Sequence, residues 1–349
     1  MTTADEAGDR MAGVLLGTAL GDALGLPMEG MGGAAVQRRF PRIEGFALLG
    51  SSGFCSDDTE QSALVAQSLA RHPGDRAAAV RAFRRAILGW FLRLPWCIGL
   101  GTLRACVRIL FGFRRSGVRS AGNGAAMRAA IVGAVKRERS EREAWSDAFA
   151  EVTHVDPRAV QGARFVAELT GQLVHGSHRD DDGAVGCALD VVDEENLRSA
   201  LVRARELAAS DAGIDDAATE LGVTGFVVHS VPLALFCFLR SGSDPMRALT
   251  LAIHAGGDTD TNAAIVGAWL GARHGLRGLP APLVARLQGG PFGRAHLEAL
   301  ARSLHERTPP PHYAALLAFA RNLALFPVVL AHAVRVMISR VRSYIAVQK

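Results

Sequence analysis

The chain has 349 residues, 49% apolar and 21% charged, enough for one large domain or two ordinary ones with an ample core. Five cysteines, Cys55, Cys97, Cys106, Cys187 and Cys237, are odd in number and lack a Cys-x-x-Cys pair, which excludes a disulfide framework or a zinc ribbon and fits a reducing cytoplasm. The net charge of +5 comes mainly from scattered arginines with no basic block interleaved with aromatics, so no strong nucleic-acid-binding signature is present.

Met1 to Arg10 shows no basic run followed by an apolar one, so no secretory signal is expected. Alanine, leucine and arginine abound and alternating β-branched runs are few, which predicts an all-α domain over residues 10–305. Its first helix carries Gly13, Gly17, Gly21 and Gly25 at four-residue spacing, a face along which a neighbouring backbone can come very close. The apolar stretch ahead of Asp22 is about ten residues, too short to span a bilayer.

Ser56-Asp57-Asp58-Thr59 follows, and a second acidic cluster, Gly256-Gly257-Asp258-Thr259-Asp260-Thr261, stands about two hundred residues later. Both precede predicted helices. Carboxylates and hydroxyls on adjacent or alternate residues are the hard oxygen donors that Mg²⁺, Mn²⁺ or Ca²⁺ prefers, so the two clusters together predict one metal site. The alternative is that both are helix N-caps, for which the same residue types are favoured.

Between the clusters, Trp90 and Trp96 flank an apolar stretch expected to be core, with an aromatic face for a ligand as the alternative. Gly122-Asn123-Gly124 reads as a turn whose glycines let backbone amides approach a phosphate. His175, His178 and Asp180-Asp181-Asp182 are expected in an exposed loop or short connection, with a rival cation site there as the less favoured reading. After the second cluster, Ala263, Gly267 and Gly271 repeat the small-residue spacing, which predicts a second close-packed helix. Residues 306–349 read as an appendage, a Pro-rich linker at Pro309-Pro310-Pro311 and then a basic, apolar helix. This helix is expected to dock on the domain or a second subunit, or to lie on a membrane surface.

Taken in order, Gly21-Asp22-Ala23-Leu24-Gly25-Leu26-Pro27-Met28-Glu29, Ser56 to Thr59, Gly122 to Arg128, Thr153-His154 and Gly256 to Thr261 resemble the ADP-ribosylglycohydrolase family over roughly residues 10–300. The resemblance implies a compact, orthogonal multi-helix all-α fold with a C-terminal helical extension. It also implies two divalent cations, Mg²⁺ or Mn²⁺, and hydrolysis of the glycosidic bond at the anomeric carbon of ADP-ribose. By the same resemblance Ser56, Asp57, Asp58, Asp258, Asp260 and Thr261 hold the metals. Glu29, Asp57 and Asp258 are catalytic, with Glu29 the general acid/base. Gly122, Asn123, Gly124, Met127, Arg128, His154, Gly256 and Gly257 contact the ligand. Asp22 is read as a buried helix-end partner. The substrate implied is an ADP-ribosylated protein, nucleic acid or small acceptor. Two alternatives stay open: a protein that binds ADP-ribose or neutralises a toxin with little turnover, and a two-metal phosphoesterase, which the lack of a phosphate-gripping lysine near either cluster disfavours.

Overall fold

Four glycines on one helix face need a partner able to use the space they leave. In the computed structural model, which describes residues 3–176, 180–288 and 290–347, that partner is the helix begun by the second acidic cluster. The α-helices run α1 Thr3–Gly25, α2 Gly33–Arg39, α3 Asp57–Arg71, α4 Arg76–Phe91, α5 Leu100–Leu110, α6 Ala130–Val135, α7 Arg139–Ala150, α8 Pro157–His175 and α9 Asp181–Leu189. They continue α10 Glu195–Ala209, α11 Ile214–Leu221, α12 Val227–Ser241, α13 Pro245–His254, α14 Thr259–His274, α15 Ala281–Val284, α16 Arg294–Glu306 and α17 Ala315–Val347. Among the described residues strand-like pairing is confined to isolated bridges, such as Gly32 with Gly256 and Val118 with His154. The predicted all-α class holds.

α1 and α14 run antiparallel with their backbones in contact. A Cβ placed on Gly13, Gly17, Gly21 or Gly25 would lie 2.3, 2.0, 1.9 or 2.4 Å from the carbonyl oxygen of Gly271, Gly267, Ala263 or Thr259. No side chain fits at such distances, so glycine is required by close approach. The same device joins α6 to α8, where a Cβ on Gly133 would fall 1.9 Å from the Ala167 carbonyl.

Around this pair pack α16, α3, α12, α13 and α8. Leu15, Leu16, Leu20 and Leu24 of α1 are wholly buried, each contributing about 1.5–3 kcal/mol of burial free energy. The stretch Asp5–Met28 proves long and apolar enough to cross a membrane, contrary to the shorter apolar run read from the sequence. Since 89% of its most apolar window is buried, it is the core helix of this fold. α1 also starts at Thr3, ahead of residue 10.

The polar run at Asp180 to Asp182 is not a loop. Asp180 accepts from the Gly183 amide at 2.9 Å and so caps α9, while Asp181 and Asp182 form ion pairs with Arg273 and Arg205. His175 bonds the Ala134 carbonyl oxygen at 2.9 Å, and His178 lies outside the described residues. These acids are spent on capping and ion pairing, which removes the observation behind a rival cation site there.

Replacing Gly21 with Ala is expected to destabilise the protein by more than about 2 kcal/mol, because the added methyl meets backbone that cannot yield. Gly186→Ala in α9, where a Cβ meets nothing within 4 Å, is expected to raise stability by about 0.5–1 kcal/mol. Urea denaturation midpoints of the two variants should therefore move in opposite directions.

Candidate active site

The second acidic cluster begins α14, which the contact with α1 sets beside the end of α1; the first begins α3, which Asp22 draws to the same place. Asp22, fully buried in the last turns of α1, accepts from the Ser56 amide at 2.9 Å, the Thr59 amide at 3.1 Å and the Thr59 hydroxyl at 2.5 Å. It thereby pins the start of α3. Despite these bonds, burial raises its pKa to about 6.

Ser56 behaves as the N-cap alternative foresaw, its hydroxyl accepting from the Asp58 amide at 3.3 Å. Asp258 does not: its side chain makes no capping bond to α14 and instead accepts from Asn123 Nδ2 at 2.8 Å. The clusters meet at Asp58 Oδ2, which accepts from the Ser56 hydroxyl at 3.1 Å and the Thr261 hydroxyl at 3.3 Å.

Glu29 follows the turn Leu26–Met28 at the end of α1. Backbone bonds from Gly30 N to Gly257 O at 2.7 Å and from Gly257 N to Met31 O at 2.8 Å tie this turn to the second cluster. The result is one cavity of about 1760 Å³ lined by Glu29, Asp57, Asp58, Asp258, Asp260 and Thr261 on the acidic side. Gly122, Asn123, Gly124, Met127 and His154 line it as well, as does Gly257.

Asp57, Asp58 and Asp260 have pKa values well above the usual carboxylate range, first because burial disfavours charge and then because they repel one another and Glu29, Asp22 and Asp258. The positive ends of α3 and α14 offset part of that repulsion. Asp58 Oδ1 and Asp260 Oδ1 are buried without a hydrogen-bond partner, which is the condition a hard cation relieves. Among the described residues no three His, Cys, Asp or Glu side chains stand close enough to enclose one ion. A cation here would complete its shell with the Ser56 and Thr261 hydroxyls and water, as magnesium commonly does. The donor set fits a hard divalent cation on those terms.

A family model described as ADP-ribosylglycohydrolase matches residues 2–313. The chain belongs to the ADP-ribosylglycohydrolase family. A protein of Archaeoglobus fulgidus is 30% identical to it over 325 residues, 85% of this chain and 96% of that one. The ADP-ribosylarginine hydrolase Tri1 of Pseudomonas putida is 24% identical over 331 residues, 88% of this chain and 81% of Tri1. A solved chain titled ADP-ribosylglycohydrolase-related protein complex superposes with a TM-score of 0.67 at 28% identity, covering 87% of this chain and 99% of that one.

Three residues expected at this site, Ser56, Arg128 and Gly256, do not themselves line the cavity. Ser56 is fully buried beside Asp58. Arg128, also buried, donates to Gln61 Oε1 at 2.7 Å, the Gly124 carbonyl at 2.6 Å and the Thr153 hydroxyl at 2.6 Å, and burial lowers its pKa to about 10. Because Gln61 also donates to Asp57 at 2.8 Å, Arg128 couples the first acidic cluster to the glycine turn and to Thr153-His154. Gly256 and Gly257 have φ of 76° and 75°. The space beside them is taken by the chain's own backbone, Gly33 N at 2.4 Å and Val223 O at 1.8 Å from the added Cβ positions. Trp90 and Trp96 are core: Trp90 donates to Glu60 at 2.6 Å, and neither lines the cavity.

Other lining residues carried no sequence signal. Cys97 adopts φ 58° and donates its thiol to Glu29 Oε2 at 3.4 Å. Gly225 leaves room for Asp258, whose Oδ2 would sit 2.9 Å from an added Cβ, and Arg38 and Arg39 of α2 stand at the rim. A lone cysteine, a lone glycine and two exposed arginines have no spacing to read.

His154 is buried, paired with the Thr153 hydroxyl at 2.7 Å, and burial, then Arg128, holds its pKa down to about 3. It is neutral at physiological pH. Between pH 3 and 6.5 the unfolded chain binds a proton at this position that the folded chain refuses, so this contribution to stability falls as pH drops through that window. Unfolding free energy measured from pH 7 to pH 4 is expected to decline less steeply in His154→Gln than in the parent, by a few kcal/mol at most.

Proposed function

We propose that the protein is a metal-dependent hydrolase that releases ADP-ribose by cleaving the glycosidic bond at its anomeric carbon. The observation that carries this reading is the convergence of Asp57, Asp58, Asp258, Asp260 and Glu29 in one cavity, opposite a glycine turn and a neutral histidine. Family membership and the likeness to Tri1 support the hydrolase class.

Ser56, Asp57 and Asp58 would hold one side of a divalent pair, and Asp258, Asp260 and Thr261 the other. Bound there, Mg²⁺ or Mn²⁺ supplies positive charge that neutralises the crowded carboxylates and Lewis acidity towards the sugar oxygens. Asn123 fixes Asp258, and Asp22 fixes the start of α3, so the carboxylates keep their places as charge builds. Glu29 takes the proton of the water attacking the anomeric carbon and returns it to the leaving group, the relay that an oxocarbenium-like reaction needs. The Cys97 thiol, donating to Glu29, holds its carboxylate towards the cavity. Gly122 and Gly124 expose main chain to the diphosphate, and the neutral His154 beside them donates or accepts one hydrogen bond without adding charge.

Release of ADP-ribose, followed by mass spectrometry on arginine-, serine- and nucleic-acid-linked substrates with Mg²⁺ or Mn²⁺, is expected from the parent protein. Asp258→Asn should lower it at least about 10²-fold and Glu29→Gln by about 10²–10⁴-fold. Metal-free Asp260→Asn should melt above the metal-free parent, because a buried like charge is removed, and should lose most of the several-degree stabilisation that Mn²⁺ confers on the parent. Absence of release from every linkage, with the metal-dependent stabilisation intact, would overturn hydrolysis in favour of an ADP-ribose-binding or toxin-neutralising protein.

A further inference from the structure

Among its described side chains, α17 is docked along one side only. Its Arg321 pairs with the buried Glu60 of α3 and donates to the Pro291 carbonyl at 2.9 Å, and the buried Asn322 donates to the Arg93 carbonyl at 2.9 Å. On the other side Leu316, Phe319, Leu323, Phe326, Leu330 and Val334 recur at helical spacing and are 37–84% exposed. Only 17% of the window Ala315–His332 is buried, against a mean hydropathy of 1.6. An apolar stripe of this length left in water marks an interaction surface.

Charge names the partner. From Arg307 to the C-terminus the sequence contains no Asp or Glu and carries Arg307, Arg321, Arg335, Arg340, Arg342 and Lys349. Arg321 is neutralised by Glu60, and the others have no acid on their own segment. Pairing with a second copy would bring two basic, acid-free segments together, whereas anionic lipid headgroups neutralise such a segment while acyl chains take the leucine and phenylalanine stripe. By length and composition alone the stretch Ala315–His332 could cross a membrane, but its Arg321 and Asn322 are held on the domain by Glu60 and the Arg93 carbonyl, which sets the helix along the protein surface and favours lying on a bilayer over crossing it.

The same surface leads to the cavity. The segment after α4 bears Leu92 and Leu94, both more than half exposed, on either side of the Arg93 carbonyl that Asn322 holds. It then passes Cys97 and Gly99 to the exposed Leu100, all three of which line the cavity. We propose that the bare face of α17, continued by Leu92 and Leu94, is an interfacial anchor that lies flat on an anionic lipid surface and sets the cavity mouth beside the membrane. This inference does not depend on the reaction proposed above.

Co-sedimentation of the full-length protein with lipid vesicles tests it. The parent is expected to bind vesicles of phosphatidylcholine with phosphatidylserine at least about tenfold better than phosphatidylcholine alone, and to be released at high salt. Leu323→Glu with Leu330→Glu, both at exposed positions, should cut binding at least about tenfold while leaving circular dichroism and melting temperature unchanged. Arg340→Glu with Arg342→Glu should abolish the preference for phosphatidylserine. A parent that stays in the supernatant with both vesicle types overturns the proposal. So does a parent that is dimeric in solution without binding lipid and becomes monomeric in the double glutamate variant, which would assign the face to a second copy. Equal binding to both vesicle types, unchanged by the glutamates, overturns it as well.

Discussion

Backbone contact between α1 and α14 is the constraint from which the cavity follows. Helices usually pack 8–10 Å apart because side chains hold them off, and glycine at four-residue spacing removes that spacer. The approach runs along the second half of α1 and nearly all of α14, from Gly13 against Gly271 to Gly25 against Thr259. Its consequence is positional: the end of α1, carrying Asp22 and leading to Glu29, must lie beside the beginning of α14, carrying Asp258 and Asp260. α3 then enters the same place because Asp22 accepts from its first turn.

That geometry gathers acidic groups where isolated acids would be avoided. Burial and mutual repulsion together raise the pKa values of Asp57, Asp58 and Asp260, and two buried carboxylate oxygens find no donor. A fold selected for stability alone would not retain this arrangement, since strain of this kind persists where function uses it. Around the acids the supporting groups are neutral or capping: Asn123 on Asp258, the Ser56 and Thr261 hydroxyls on Asp58, Gln61 on Asp57. Arg128, the nearest buried cation in this network, is spent on Gln61, Gly124 and Thr153, so it organises the glycine turn instead of neutralising the carboxylates.

Much of this was legible beforehand, for identifiable reasons. The glycine spacing and the acidic clusters are local patterns whose physics acts within a few residues, and they predicted the two close-packed helices and the cluster positions. The acidic triplet Asp180 to Asp182 misled because charge spacing does not reveal whether arginines from distant helices will pair with it, as Arg205 and Arg273 do. The apolar length of α1 likewise does not say whether a helix meets lipid or protein, which here only its burial answers. Gly256 and Gly257 suggested room for a ligand, yet the room is used by the chain itself, because a glycine reports that something comes close without naming it.

The sequence by itself determined the all-α class, the helix faces that can approach, the oxygen-donor chemistry of the two clusters and the basic, acid-free character of the C-terminal segment. These are consequences of side-chain identity and helical period. Only the tertiary structure decided that Asp258 is held by Asn123 instead of capping its helix, that Cys97 touches Glu29, that Arg128 and Ser56 do not themselves line the cavity, and that the stripe from Leu316 to Val334 of α17 is exposed. Each of these depends on contacts between residues far apart in the chain, which are set by how the helices pack and which no local pattern encodes.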